Sequence, residues 1–168
     1  MIDTGIGEIY LVCVEHRNNE AGDPRDIGFD AAMEFSSHGI PIDCIIDNDD
    51  IPVFNKSFLG RIFDYSKYVE FMVNRASVSY KRFPCVMPAW DNTARVNERA
   101  GIFIDSSPEK YENWLSEVIF QTQREFDGDE QIIFVNAWNE WGEGCHLEPD
   151  QKYGLKFLEA TRSAMHSV

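Results

Sequence analysis

Short apolar runs alternating with stretches of helical period constrain this chain more than any other feature. The runs are Ile9 to Val14, Phe29 to Phe35, Cys85 to Trp90 and Ile132 to Trp138, each of strand length. Between them, Tyr111, Trp114, Leu115, Val118, Ile119 and Thr122 fall on one helical stripe, preceded by Ser107 as N-cap and Pro108 at the first helical position. A second helix is expected from about Tyr65 to Ala76, with Asp64 as its cap, and a third from near Tyr153 to the end. Parallel strands need a crossover between them, and amphipathic helices of this length supply it. The fold class is therefore α/β with a parallel sheet.

Composition narrows the function. With 168 residues, 43% of them hydrophobic, the chain has material for one globular core. Its 15 Lys and Arg against 29 Asp and Glu give a net charge of −14, so phosphate backbones and anionic membrane surfaces repel most of this surface. Nucleic acid is not an expected partner. Cys13, Cys44, Cys85 and Cys145 are widely spaced and sit in or beside apolar runs, which reads as reduced thiols. Neither a metal nor a cofactor is expected, and the acidic run Asp47 to Asp50 reads as a solvated loop. No window approaches a membrane span and the start MIDTGIGEIY has no leader pattern, so the expected location is cytoplasmic.

Chemistry concentrates in WNEWGEG, Trp138 to Gly144. Continued at period two, the last apolar run puts Ile132, Phe134, Asn136, Trp138 and Glu140 on one face and Ile133, Val135 and Ala137 on the other. The first face changes from apolar to amide, indole and carboxylate, as a strand does when its base is core and its carboxyl end is a site. Glu143 follows between Gly142 and Gly144, which free the backbone for a turn and leave room for a ligand. Two carboxyl groups on one loop suit glycoside chemistry, which needs one protonated and one ionised. Trp138 and Trp141 offer faces for sugar rings, and Asn136 and Asn139 offer amides for hydroxyl groups.

Other positions are candidates for lining the site. Glu34 ends its strand, as Trp90, Asp91 and Asn92 end theirs, at the edge where barrel sites gather. His38 and His146 are candidate sugar contacts, while Glu148 before Pro149 reads as an anchor for the following helix.

The segments GFDAAMEF, PAWDNTAR, SSPEKYENWL and NAWNEWGEGCHLEPDQKYGLKFLEA together resemble the WbsX-like glycosyltransferase family, related to glycoside hydrolase family 99, from Gly28 to about Arg162. The resemblance implies a (β/α)8 barrel, with residues 1–168 forming part of its catalytic domain. It implies Glu140 as the base that activates a sugar 2-hydroxyl and Glu143 as general acid and later general base. The implied activity is glycosyl transfer in the synthesis of surface polysaccharide such as lipopolysaccharide O-antigen; the alternatives are endo-acting cleavage of α-mannosides, as the related hydrolases imply, or a noncatalytic half-barrel fragment. A full barrel takes about 250 residues, so this chain corresponds to the carboxy-terminal half, about four parallel strands. Exposed sheet edges then predict a partner, either the missing amino-terminal half barrel or a second copy. Carbohydrate is the expected substrate.

Overall fold

Each of the four apolar runs contains a strand: β1 (Val12–Val14), β2 (Ala31–Met33), β6 (Cys85–Val86) and β8 (Phe134–Val135). The computed structural model describes residues 7, 9–15, 22–37, 39–48, 51 and 55–166. His38, Asp49 and Asp50 lie outside them. A further strand, β5 (Arg82–Phe83), lies just ahead of β6, with Pro84 between. Parallel pairing joins β1 to β2, β2 to β5, and β6 to β8. Pro84 has no N–H to give, and the pairing changes sides there. Upstream of it Phe83 accepts from Glu34 N at 3.0 Å, and downstream Asn136 donates to Val86 O at 2.9 Å. Two sheets, β1-β2-β5 and β6-β8, thus follow one another across Pro84, and every pairing in them is parallel, as the α/β reading requires.

A further small sheet was not visible in the sequence pattern. It consists of β3 (Ile45–Ile46), β4 (Arg61–Asp64) and β7 (Gly101–Ile104), with β3 antiparallel and β7 parallel to β4. Rings of Phe63 and Phe103 stack across it at 5.0 Å.

The three longer helices follow their sequence signals closely, and the short one carried none. α1 (Tyr65–Asn74) begins where Asp64 accepts from Lys67 N at 3.0 Å. It is followed by the short α2 (Thr93–Val96) and by α3 (Pro108–Glu125), whose cap Ser107 accepts from Lys110 N at 3.3 Å. α4 (Lys156–His166) closes the chain and packs along α3, with Ser163 Oγ donating to Glu112 at 2.6 Å. The inner stripe of α3 buries Tyr111, Trp114, Leu115 and Val118 against α1, β6 and α4. Each such side chain is worth about 1.5–3 kcal/mol when withdrawn from water. Tyr65 and Tyr68 carry hydroxyls into this core, where they donate to the carbonyls of Met87 and Ser36.

Cys44, Cys85 and Cys145 are buried and Cys13 half-buried, all as free thiols. Among the described residues no helix is long and apolar enough to cross a membrane.

Candidate active site

The strand expected to run on to Glu140 stops at Val135. The alternation holds that far, since Phe134 packs into the small cluster around Phe83 while Ile133 and Val135 face the main core. Beyond it the Asn136–Ala137 peptide is cis and the chain leaves the sheet. It then forms a separate hairpin of β9 (Asn139–Glu140) and β10 (Cys145–His146), antiparallel, with Glu140 opposite Cys145. A single 3-10 turn, Trp141–Glu143, joins the two strands and carries both indole and carboxylate. Gly144 ends that turn in the left-handed region, φ 54°, a conformation that costs other residues about 1–2 kcal/mol.

The hairpin is seated on the segment that follows β6. Asp91 N donates to Glu143 O at 2.7 Å, and a Cβ on Gly144 would stand only 3.1 Å from Asp91 O. Asp91 uses its own carboxylate locally, accepting from Thr93 N at 3.0 Å at the start of α2. The third residue of that short helix is Arg95. Its Nη2 lies 2.5 Å from Glu140 Oε1 and its Nη1 2.9 Å from Glu143 Oε1, so one guanidinium joins both carboxyl groups. Gly142 is not in the left-handed region. A Cβ there would lie 2.8 Å from Arg95 Nε, so the room that this glycine leaves is filled by the arginine.

The two acids differ in depth. The side chain of Glu140 is 39% exposed and that of Glu143 18%, with Arg95 at 51%. Burial, joined by repulsion from Glu140 and opposed by Arg95, raises the Glu143 carboxyl above the usual carboxylate range. Behind them the Cys145 thiol, pushed up to about 12 by burial, donates to Asn136 O at 2.6 Å.

Beside the acids lies an aromatic face. Trp141 stacks on His146 with ring centres 3.7 Å apart and planes 23° from parallel, and its Nε1 donates to Glu148 Oε2 at 2.6 Å. Glu148 therefore fixes an indole rather than the helix after it. Trp141 is 49% exposed and Trp138 54%, which leaves apolar ring surface open to a ligand. Two buried polar atoms here, Asn136 Nδ2 and His146 Nδ1, have no partner among the described residues.

The sequence profile of the family described as Glycosyltransferase WbsX matches residues 1–161. The chain belongs to that family. Two curated relatives, both called "Uncharacterized protein WxcX", come from Xanthomonas campestris pv. campestris strains B100 and ATCC 33913. Each is 37% identical over 163 residues, a match that covers 97% of this chain and 23% of the relative. The WbsX chain thus spans less than a quarter of the length of these relatives. No solved structure matches it.

Of the residues singled out in the sequence, the hairpin gathers Glu140, Glu143, Asn139, Trp141 and His146, with Trp138 and Asn136 on its approach and Asp91 beneath it. Trp90 is instead packed into the main core. Glu34 is nearly buried and bound elsewhere: Arg75 pairs with it closely, Arg82 Nε stands 3.2 Å away, and Cys85 N donates to it at 3.3 Å. A cavity of about 120 Å³ lies at that cluster, between α1 and α3, where burial holds Arg75 down to about 10. Arg95 was missed. It stands inside PAWDNTAR, 45 and 48 residues ahead of the two acids in sequence, and only the fold brings it to them.

Proposed function

We propose that this WbsX domain carries the acid/base pair of a carbohydrate-active enzyme, and that the intact protein transfers glycosyl groups in the synthesis of surface polysaccharide such as lipopolysaccharide O-antigen. The observation that carries this reading is the pair itself: two carboxyl groups held by one guanidinium, unequal in burial, beside half-exposed indoles. Family membership supports the glycosyl chemistry.

In the proposed reaction Glu140 removes the proton of a sugar 2-hydroxyl, and that oxygen attacks C1. Glu143 gives its proton to the departing oxygen as the C1–O bond breaks, leaving a 1,2-anhydro sugar. Glu143, now ionised, takes the proton of an incoming hydroxyl whose oxygen opens the ring at C1. Glu140 returns its proton to O2, and two inversions give net retention. An acceptor sugar makes this transfer, and water makes it hydrolysis.

Hydrolysis of α-mannosides is the second reading, favoured by one feature. Burial keeps Glu143 protonated to higher pH, which an alcohol leaving group needs and a phosphate leaving group does not. In either case we read the parallel run of β1, β2, β5 with β6, and β8 as the carboxy-terminal half of a (β/α)8 barrel. The half is completed by further sequence of the intact protein or by a second copy. The exposed Tyr10, Leu11 and Val14 along β1 and its approach support such pairing.

The test uses the intact protein with an alkyl and a nitrophenyl α-mannoside, with and without an acceptor sugar. Glu143→Gln should cost about 10²–10⁴-fold in kcat/KM on the alkyl substrate and far less in kcat/KM on the nitrophenyl one, whose leaving group needs no proton and for which the later ring opening does not enter. Glu140→Gln should fail on both. Undiminished turnover in either variant on the alkyl mannoside sinks the assignment.

A further inference from the structure

We propose that Arg95 is a positioning residue, a two-pronged brace that turns the carboxyl groups of Glu140 and Glu143 toward one shared space and fits them for unequal roles. The inference rests on the reading of that pair as base and acid, and adds the group that organises them.

Geometry comes first. Separate nitrogens of one guanidinium engage the two acids, at 2.5 Å and 2.9 Å. The guanidinium is a rigid planar fork, so two carboxylates bound at its prongs do not turn independently. The turn is shaped to receive it, since a side chain at Gly142 would meet Arg95 Nε at 2.8 Å. The arginine arrives from α2, a different part of the chain, and the same segment supports the turn through the bond from Asp91 N to Glu143 O.

Charge comes second. One guanidinium with two ionised carboxylates carries a net charge of −1, and a single proton makes the trio neutral. The proton belongs on the acid that gains less hydration when it ionises, and that is Glu143, the more buried of the two. Among the described residues, the charged or titratable groups facing Glu143 are Arg95 from α2, Glu140 from β9 and Cys145 from β10. Glu140 pushes its carboxyl up and Arg95 pulls it down, while the Cys145 thiol stays neutral at physiological pH.

The experiment is a pH titration of carbon-13-labelled Glu carboxyl signals by NMR in the full chain, assigned with Glu140→Gln and Glu143→Gln. In Arg95→Gln the attraction is lost while the repulsion from Glu140 stays, so the Glu143 midpoint moves to higher pH. Gly142→Ala keeps the charge and unseats the guanidinium, and moves Glu143 in the same direction. This variant also serves if Arg95→Gln does not fold. Arg95→Lys should fall between wild type and Arg95→Gln. A Glu143 midpoint unmoved in Arg95→Gln, or in Gly142→Ala, overturns the proposal, and full restoration by lysine reduces Arg95 to a mere charge and overturns the brace. The readout needs no substrate, so it can fail while the glycosyl chemistry stands, and hold where turnover is absent.

Discussion

Two glycines on either side of Glu143 occupy their positions for different reasons, and replacing each by alanine separates those reasons. Gly144 has φ 54°, which costs an alanine about 1–2 kcal/mol. Its new Cβ would also stand 3.1 to 3.2 Å from three atoms of Asp91, two of them backbone. Crowding of that kind costs about 1–3 kcal/mol, and the backbone of Asp91 cannot yield freely because its N–H holds Glu143 O. The sum is about 3 kcal/mol, and in a domain of this size it lowers the melting temperature by roughly 6–12 °C. Gly142 has an ordinary φ, so alanine there gains about 0.4–1 kcal/mol through the unfolded chain. It displaces only a half-exposed arginine, whose ion pairs contribute about 0.2–1 kcal/mol. Those effects nearly cancel, and Gly142→Ala should melt within about 4 °C of wild type. Thermal denaturation followed by far-ultraviolet circular dichroism measures both. A Gly144→Ala variant as stable as wild type, or equal losses in the two, would refute the reasoning.

The raised Glu143 carboxyl has a consequence for stability. In the pH window between the ordinary glutamate value and the higher folded one, the folded state binds the proton that the unfolded chain has released, so stability falls as pH rises. Glu143→Gln removes that fall, and its melting temperature relative to wild type should climb between acid and neutral pH; a constant difference contradicts the assigned shift. Glu34 faces two arginines from a nearly buried position, and Glu34→Gln leaves both without their shared partner. The loss should be about 3 kcal/mol, read by urea denaturation, and a loss near zero would mean that the cluster is not held by this carboxylate.

How far the fold was legible depended on the length of the apolar run or stripe around each element. The helices were readable because Asp64 and Ser107 cap them locally and their stripes are long. The four runs of parallel strand were readable because each contains several consecutive apolar residues. The strands Arg61–Asp64 and Gly101–Ile104 were not, because their apolar stretches, Ile62–Phe63 and Ile102–Ile104, are shorter than the runs that marked the others. They exist through each other, by the stacking of Phe63 on Phe103 and a shared ladder. Arg82–Phe83 was hidden by Pro84, which reads as a strand breaker but here only moves the pairing to the other side.

The site was legible where its parts are neighbours in sequence. Glu140, Trp141 and Glu143 share one turn, so their meeting needed no long-range information. Their inequality did need it. Spacing treats the two glutamates alike, and nothing in WNEWGEG says which carboxyl keeps a proton. The fold decides by setting Glu143 deeper, against the layer that contains Cys145, and by leaving Glu140 on the open side of the hairpin. An isolated turn of the same sequence would hydrate both acids equally. A division of labour between them therefore depends on the seating of the hairpin on Asp91, which is itself held by its bridge to Ile102. Loosening that bridge, which includes neither carboxyl group, should hydrate Glu143 and lower its midpoint in the carbon-13 titration before it unfolds the domain.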